Sequence, residues 1–230
     1  MSRHAVAGPG DPAGSLRQLC RSACSELGMS GATIVVVGGN TAEVRYATDP
    51  VGAHLAQLQV IVGEGPVADT MRSGCAVLLA ELDDLSLQSR WPLFLPLAAE
   101  TVASALFTLV LPAGTSRIGV LALHRTVPGP MVAGTFATAR RFASSASRLL
   151  LAEQRPYLTE DQGTTKPGFR LANPEIHQAT GIIAAQLDVR MDEAFLRLRS
   201  RAFTDHRRLA GLAGDVVAHR VRFDHRAASP

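Results

Sequence analysis

The sequence predicts an α+β domain with a mainly antiparallel sheet, followed by an all-α bundle of three helices. In the first two thirds of the chain, short β-branched and apolar runs alternate with glycine-rich turns and helical stretches, which is typical of an antiparallel sheet flanked by helices. Over residues 173–222, apolar residues instead recur at helical spacing in three successive blocks. The polar stretch over residues 154–172 carries two prolines and two glycines, so it predicts a linker between the two domains.

Composition and length fit a globular protein with this organisation. Hydrophobic residues make up 47% and charged residues 19% of the 230 residues, which excludes a disordered chain and suits one large or two small domains. Residues 1–13 and residues 223–230 are predicted to be disordered ends. The N-terminus lacks the apolar segment of a secretory signal, and polar residues interrupt the longest apolar run, between Glu100 and Arg117. We therefore expect a cytoplasmic protein without a membrane-spanning segment.

The first domain, residues 14–153, is predicted to begin and end with a helix and to contain two hairpins. The predicted elements are a helix over 15–27, strands over 33–37 and 42–48, one or two helical turns over 53–59, an apolar run over 58–62, a helix over 67–72, a strand over 76–82, a short helix opening at 89–92, strands over 102–111 and 118–124, and a helix over 131–153. We interpret Cys20, Cys24 and Cys75 as buried structural thiols, because no further metal or redox ligands accompany them.

The segment after residue 62 superficially matches a dinucleotide-binding fingerprint. Gly63, Gly65 and Ala68 have its spacing, and Asp83 follows at about the distance expected of its acidic residue. However, Pro66 removes a backbone N–H that a phosphate cradle would use, and the helix that follows is too short for the crossover of a dinucleotide-binding fold. We therefore interpret the segment as a tight turn that caps a short helix.

Three runs in the first domain resemble a family of sensor domains. They read LQVIVGEGPVADTMRSGCAVLLAELDD, SRWPLF and VASALFTLVLPAGTSRIGVLALHR. In their order and spacing they are similar to a GAF domain of the actinobacterial regulatory type. GAF domains are small-molecule or cofactor sensing and dimerisation modules, so the resemblance implies a signal sensor with a small-molecule ligand. The residues themselves identify no ligand and no cofactor.

The second domain, residues 173–222, is predicted to contain three short amphipathic helices. The first begins at Asn173, a favourable N-cap, with Pro174 at its first position. The second spans residues 191–202 and the third residues 207–221. Because helices of this length are marginal on their own, their mutual packing must stabilise them.

The excess of positive charge lies in this C-terminal part of the chain. The sequence up to Phe169 has 13 basic and 13 acidic residues, whereas the remainder has 10 arginines and 7 acidic residues. Arg207 and Arg208 stand where the third helix is predicted to start, and cations there oppose the helix dipole unless an anion such as a phosphate binds. By spacing alone, a nucleic-acid interface and an ordinary solvated face are equally good interpretations.

Three runs in the second domain carry a further resemblance. The first helix contains I-x-Q-A-x-G-I, the second starts D-E-A-F and continues with L-R, and the third reads R-R-L-x-x-x-A-x-x-V-V. They are similar to the ANTAR domain, the RNA-binding module of transcription antitermination regulators. The resemblance implies a homodimer that binds paired hairpins in mRNA leaders. The matching family positions are Gln178, Ala179, Gly181, Ala194, Leu198 and Ala213.

Four arginines of this domain are predicted to contact RNA, because they would supply salt-dependent phosphate contacts. They are Arg197, Arg199, Arg207 and Arg208. The sequence departs from the family pattern at three positions. Thr180 stands where the family usually has lysine, so one expected cation is absent, while Arg190 replaces a serine cap and His206 replaces an asparagine.

Two other classes of function remain open from the sequence. One is a sensor and dimerisation protein whose C-terminal bundle binds a protein partner, with RNA binding weakened or lost, as Thr180 would allow. The other is an enzyme, but the sequence contains no nucleophile elbow, no Walker-type glycine loop and no cluster of ligands with metal spacing. We therefore expect neither a catalytic residue nor a bound metal.

Overall fold

The computed structural model describes residues 12–38, 41–158, 174–205, 207 and 209–224. Within these ranges, an antiparallel sheet flanked by helices precedes a bundle of three helices, and this confirms the predicted fold class. Most residues of the predicted disordered ends and of the predicted linker lie outside the described ranges.

Five strands form one sheet in the first domain. They are β1 (Gly31–Gly38), β2 (Thr41–Ala47), β3 (Val77–Leu79), β4 (Ala105–Ala113) and β5 (Ser116–Arg125). Their order across the sheet is β2-β1-β5-β4-β3, and every neighbouring pair is antiparallel. The central strands β1, β5 and β4 are the β-branched and apolar runs of the sequence, and they are buried along most of their length because helices cover both faces.

The helices of this domain divide between the two faces of the sheet. They are α1 (Pro12–Leu27), α2 (Pro50–Val62), α3 (Pro66–Ser73), α4 (Phe94–Ala99) and α5 (Ala133–Leu158). Side chains alternate along each strand, so Ile34 packs into the core under α1 and α5 whereas its neighbour Val35 packs against α2 and α3. Leu106 and Trp91 belong to the core beneath α2 and α4. The sheet is thus the middle layer of three.

Helix α2 is longer than the sequence predicts. The pattern predicts one or two turns over residues 53–59, but α2 is a single helix of 13 residues. The side chain of Asp49 caps its first turn, and Gly63 ends it in the left-handed conformation with φ of 77°. The glycines of the apparent dinucleotide fingerprint therefore follow a helix rather than a strand, and α3 after them has only 8 residues.

Of the three cysteines predicted to be buried, Cys20 is buried, Cys24 is partly buried and Cys75 is exposed. Cys20 is buried against the sheet, and burial raises the pKa of its thiol to about 12, with the neighbouring Cys24 adding to the rise. Cys75, in contrast, is exposed at the end of α3, because the strand that follows starts only at Val77. The prediction of a buried thiol is therefore wrong for Cys75.

The second domain is a bundle of α6 (Pro174–Leu187), α7 (Met191–Thr204) and α8 (Leu209–Val217). Its core is continuous, with Ile183, Leu198 and Leu212 fully buried between the helices. Helix α8 is shorter than the predicted 207–221. Phe223, at the start of the predicted disordered end, is buried against the bundle, since its ring adds apolar area that a three-helix core needs.

Thr180 is part of this buried core and does not lie on an exposed face. Only 2% of the residue is exposed, and its hydroxyl donates a hydrogen bond of 2.6 Å to the carbonyl oxygen of Ile176, one turn earlier in α6. The residue that replaces the usual lysine of the family is therefore a buried core residue of α6. A threonine here satisfies its own polar atom, whereas a lysine would need its ammonium group to reach water.

We predict that Thr180→Lys destabilises the protein by about 1–3 kcal/mol, because a charged group would enter a packed and largely dry position. Gln178→Lys is the matched control, since Gln178 is exposed on the same helix. Urea unfolding of the full chain measures both. Equal stability of the two variants would show that position 180 can open to solvent at little cost.

His124 on β5 is buried beneath the N-terminus of α2. Its Nε2 lies 3.6 Å from Oδ1 of Asp49, and a Cβ at Gly31 would come within 2.2 Å of the ring, so the glycine makes room for it. Burial lowers the pKa of His124, and the negative charge of Asp49 offsets this only in part. The imidazole is therefore neutral near pH 7.

We predict that the His124 site loses stability as the pH falls below about 6.5, the ordinary pKa of histidine. As the pH falls, His124 takes up a proton at a higher pH in the unfolded chain than in the folded chain. The contribution of His124 to the free energy of unfolding is therefore complete above the unfolded pKa, and it is lost as the pH falls towards the lower folded pKa. Between pH 7.5 and 5.5, melting temperature should fall less for His124→Gln than for the wild type. Substitution of the exposed His54 by glutamine should leave the wild-type slope unchanged, and equal slopes for all three proteins would contradict the assignment.

Candidate nucleic-acid interface

The predicted RNA contacts on α7 do not share one surface. Each residue turns an α-helix by about 100°, so Arg199 lies about 160° around the helix axis from Arg197. Arg201 lies on the Arg197 side, close to the C-terminal end of the bundle, where its guanidinium is 5.9 Å from the ring centre of Phe223. Arg197 and Arg201 therefore lie on one side of α7, and Arg199 lies on the other.

Arg197 and Arg201 each form an ion pair within their own helix or at its end. Arg197 donates to Glu193 at 2.8 Å, and Arg201 donates to Asp205 at 2.9 Å, both across one helical turn. About a third or more of each of these arginine side chains is exposed. Such exposed pairs contribute at most about 1 kcal/mol, so an RNA phosphate can replace the carboxylate at small cost.

Arg207 lies in the short connection between α7 and α8. Its guanidinium donates a hydrogen bond to Oδ2 of Asp215, and Nε of Arg220 donates to Oδ1 of the same carboxylate at 2.7 Å. These two hydrogen bonds hold the pKa of Asp215 below its usual value. The expected conflict between Arg207 and the dipole of the third helix does not arise, because α8 begins only at Leu209 and Asp215 balances the charge. Arg208 lies outside the described residues.

Arg199 connects α7 to the first domain. Its Nε donates a hydrogen bond of 2.8 Å to the carbonyl oxygen of Ile61, in the last turn of α2. The guanidinium carbon lies 5.6 Å from the ring centre of Phe195, one turn earlier in α7. The side chain is partly buried, and burial lowers its pKa. Arginine nevertheless remains charged at neutral pH, so a partly desolvated cation sits between the two domains.

The family positions mostly pack the bundle. Ala179, Ala194, Leu198 and Ala213 are fully buried, so their small or apolar side chains allow the three helices to approach one another. Gln178 is exposed on α6, and Gly181 is partly buried there with open space where a Cβ would be. These positions therefore explain the fold of the bundle, and the exposed charge around it comes from other residues.

The contact between the two domains is a feature that the sequence analysis missed. Val60 of α2 packs against the core of the bundle, and Ile61 accepts the hydrogen bond from Arg199. Both residues belong to an apolar run that equally fits the interior of one domain, so no local signal marks them as interface residues. No sequence pattern marks Asp215 as the partner of Arg207 either, because Arg207 lies outside α8 and the two residues do not share a helix.

Among the described residues, no helix is both long and apolar enough to cross a membrane. The same part of the chain contains no group of three histidine, cysteine or carboxylate side chains placed to hold a metal ion.

Comparison with known proteins finds a family match for the second domain and a shared fold for the first. Residues 172–217 match the ANTAR domain family. The photoproduct state of GAF3 from Slr1393 of Synechocystis sp. PCC6803 is 10% identical, with a TM-score of 0.52 over 66% of this chain and 100% of that one. The GAF domain of a phosphoenolpyruvate-protein phosphotransferase from Coxiella burnetii is 12% identical, with a TM-score of 0.51 over 66% of this chain and 89% of that one. No curated protein sequence matches the chain.

At such low identity, the likeness to the solved structures establishes the fold alone. The match over residues 172–217 spans all three helices of the bundle and the motifs that carry the ANTAR resemblance. The ANTAR resemblance inferred from the sequence is thereby confirmed as a domain match, and the GAF resemblance is confirmed at the level of the fold. The chain combines a domain of the GAF fold with a C-terminal segment that matches the ANTAR domain family.

Proposed function

We propose that this protein is a signal-responsive regulator that binds structured nascent RNA through its ANTAR domain and thereby controls transcription termination. The observation that carries the proposal is the ANTAR match over a bundle whose helices and core are complete. A complete core matters because an RNA-binding surface built on short helices requires the bundle to hold those helices in place.

The charge of the ANTAR domain supports phosphate binding. Its arginines at positions 197, 201 and 207 lie at or near the surface, and each pairs with a carboxylate, which in the case of Arg207 is shared with Arg220. A phosphate-rich partner competes well for such pairs, because binding also releases the counterions that surround the RNA. Sequence selectivity would come from unpaired loop bases, which proteins read by stacking and by hydrogen bonds to the base edges.

The domain with the GAF fold is proposed to be the sensor. A small-molecule ligand in this domain and a homodimeric assembly complete the proposal, as the family resemblance implies. Light scattering at several protein concentrations, with and without RNA, distinguishes a dimer from a monomer.

We predict that Arg207→Ala/Arg208→Ala weakens RNA binding by about tenfold or more and makes the dependence of log K on log salt shallower by about 1–2, because two phosphate contacts are lost. Filter binding to an RNA with two stem-loops, over a salt series and with tRNA as competitor, measures both quantities. Arg21→Ala/Arg140→Ala is the matched control, since it removes the same charge from exposed positions on α1 and α5.

The outcomes separate the proposed function from its alternative. If both double variants bind RNA like the wild type at every salt concentration, Arg207 and Arg208 are not RNA contacts. If the wild-type protein shows no selective binding to the stem-loop RNA over tRNA, the RNA-binding function fails. The alternative of a bundle that binds a protein partner then becomes the better description.

A further inference from the structure

The guanidinium of Arg199 caps the C-terminus of α2. The last carbonyl groups of a helix have no partner within the helix, and they form the negative end of its dipole. Ile61 contributes one of these carbonyls, and Arg199 from the ANTAR domain donates to it at 2.8 Å. A cation with a hydrogen-bond donor is the complement that such a helix end favours. The two domains are therefore joined by a specific polar contact as well as by apolar packing.

Gly63 makes this contact sterically feasible. It terminates α2 with φ of 77°, and a Cβ placed on it would lie 1.8 Å from Nη2 and 2.7 Å from Cζ of Arg199. The guanidinium thus lies directly against the backbone, where any side chain at position 63 would displace it. The first glycine of the apparent dinucleotide fingerprint therefore serves the contact between the domains.

The rest of the interface is incompletely packed. Among the described residues, a cavity of about 440 Å³ separates part of α2 and β2 from Ile176 and Leu209 of the bundle. A second cavity of about 180 Å³ lies beside Arg199 and Phe195. Both cavities open to solvent, so the two domains do not contact each other there, and domain interfaces with limited contact permit relative motion. The docked arrangement therefore depends strongly on the few contacts that are well made, of which the Arg199 contact is one.

Arg199 is also one of the arginines predicted to contact RNA. While it caps α2, its Nε–H is used, its charge is partly buried and the backbone of the first domain covers one side of it. A phosphate that binds in a bidentate manner through Nε and Nη2 of Arg199 needs the edge of the guanidinium that faces Ile61 and Gly63. Docking of the first domain therefore blocks this edge for a phosphate.

We propose that the sensor domain and RNA compete for Arg199, so that docking of α2 onto α7 lowers RNA affinity and separation of the domains raises it. This proposal rests on the proposed RNA-binding function. By linkage, RNA that binds through Arg199 favours the separated arrangement to the same extent that docking opposes RNA binding.

Hydrogen bonds also connect the C-terminal end of α2 and the loop after it to α3 and α4 of the first domain. The side-chain oxygen of Gln59 accepts a hydrogen bond of 2.7 Å from the N–H of Val67 in α3. One carboxylate oxygen of Glu64 accepts from the N–H groups of Leu93 and Phe94, where α4 begins. A shift of α3 or α4 therefore displaces the segment that carries the Arg199 site. This gives the sensor domain a physical means to weaken the contact.

A substitution in the first domain can break the contact and leave Arg199 unchanged for RNA binding. Gly63→Asn is suitable because asparagine tolerates the left-handed conformation, whereas its Cβ collides with the guanidinium. Gly74→Asn is the matched control. Gly74 ends α3 with φ of 75°, and a Cβ there would lie 2.8 Å from Cζ of Arg117, which donates to carbonyls of α3 within the same domain.

Two measurements on the full chain decide the outcome. Hydrogen–deuterium exchange of the peptide over residues 191–204, measured without RNA, reports separation of the two domains. This peptide covers α7, whereas the substitution at Gly63 lies in the first domain. Filter binding to the two-stem-loop RNA reports affinity. We expect Gly63→Asn to speed exchange in this peptide and to tighten RNA binding by about fivefold or more. Gly74→Asn should change neither quantity, and Gly63→Asn/Arg199→Ala should lose the gain in affinity.

Three results would overturn the proposal, and they differ from failure of the proposed function. Unchanged exchange in Gly63→Asn means that the Arg199 contact does not hold the domains together. Faster exchange with unchanged RNA affinity means that docking and RNA do not compete. An equal gain of affinity in Gly74→Asn means that general loosening of the domain is responsible. Absence of RNA binding in the wild type and in every variant instead rejects the proposed function, and competition for Arg199 with it.

Discussion

Both domains are assembled against α2, and α2 is held at each end by a group from outside the helix. Its first turn is capped by Asp49, which also faces the buried His124 of the central strand β5. Its last turn is capped by Arg199 of the bundle. Because the end groups of a helix must find partners elsewhere, these two contacts fix where the helix can lie. The position of the ANTAR domain relative to the sheet depends on the second of them.

The basic domain neutralises much of its charge internally, and it does so in two distinct ways. Arg197, Arg201 and Arg207 pair with carboxylates near the surface, where water screens the interaction and a competing anion meets little resistance. Arg199 instead gives its donor to a backbone carbonyl in a partly buried position, where the loss of water makes an unpaired charge expensive. The first group suits rapid exchange with phosphate, whereas release of Arg199 requires the domains to move.

Local patterns predicted most of the fold because each element is encoded by its own residues. The apolar β-branched runs became the central strands, and the three blocks of helical periodicity became α6, α7 and α8. Errors arose where the deciding contact is remote in sequence. Helix α2 extends to Val62 although its apolar run reads equally well as a strand, because it is capped at both ends and packs on both domains. Phe223 looks like part of a polar tail but completes the bundle core.

The sequence by itself determined the two domain types, the helical periodicity of the bundle and the excess of arginine in it, since these depend on residue identity and short-range spacing. The tertiary structure alone decided which arginines share a face, that Thr180 is buried, and that Arg199 reaches Ile61 across 138 positions of chain. Spacing along a helix gives the direction in which a side chain leaves the axis, but it says nothing of what lies in that direction. The partner of Arg199 is a backbone carbonyl of another domain, a group that every residue possesses and that no sequence motif can mark.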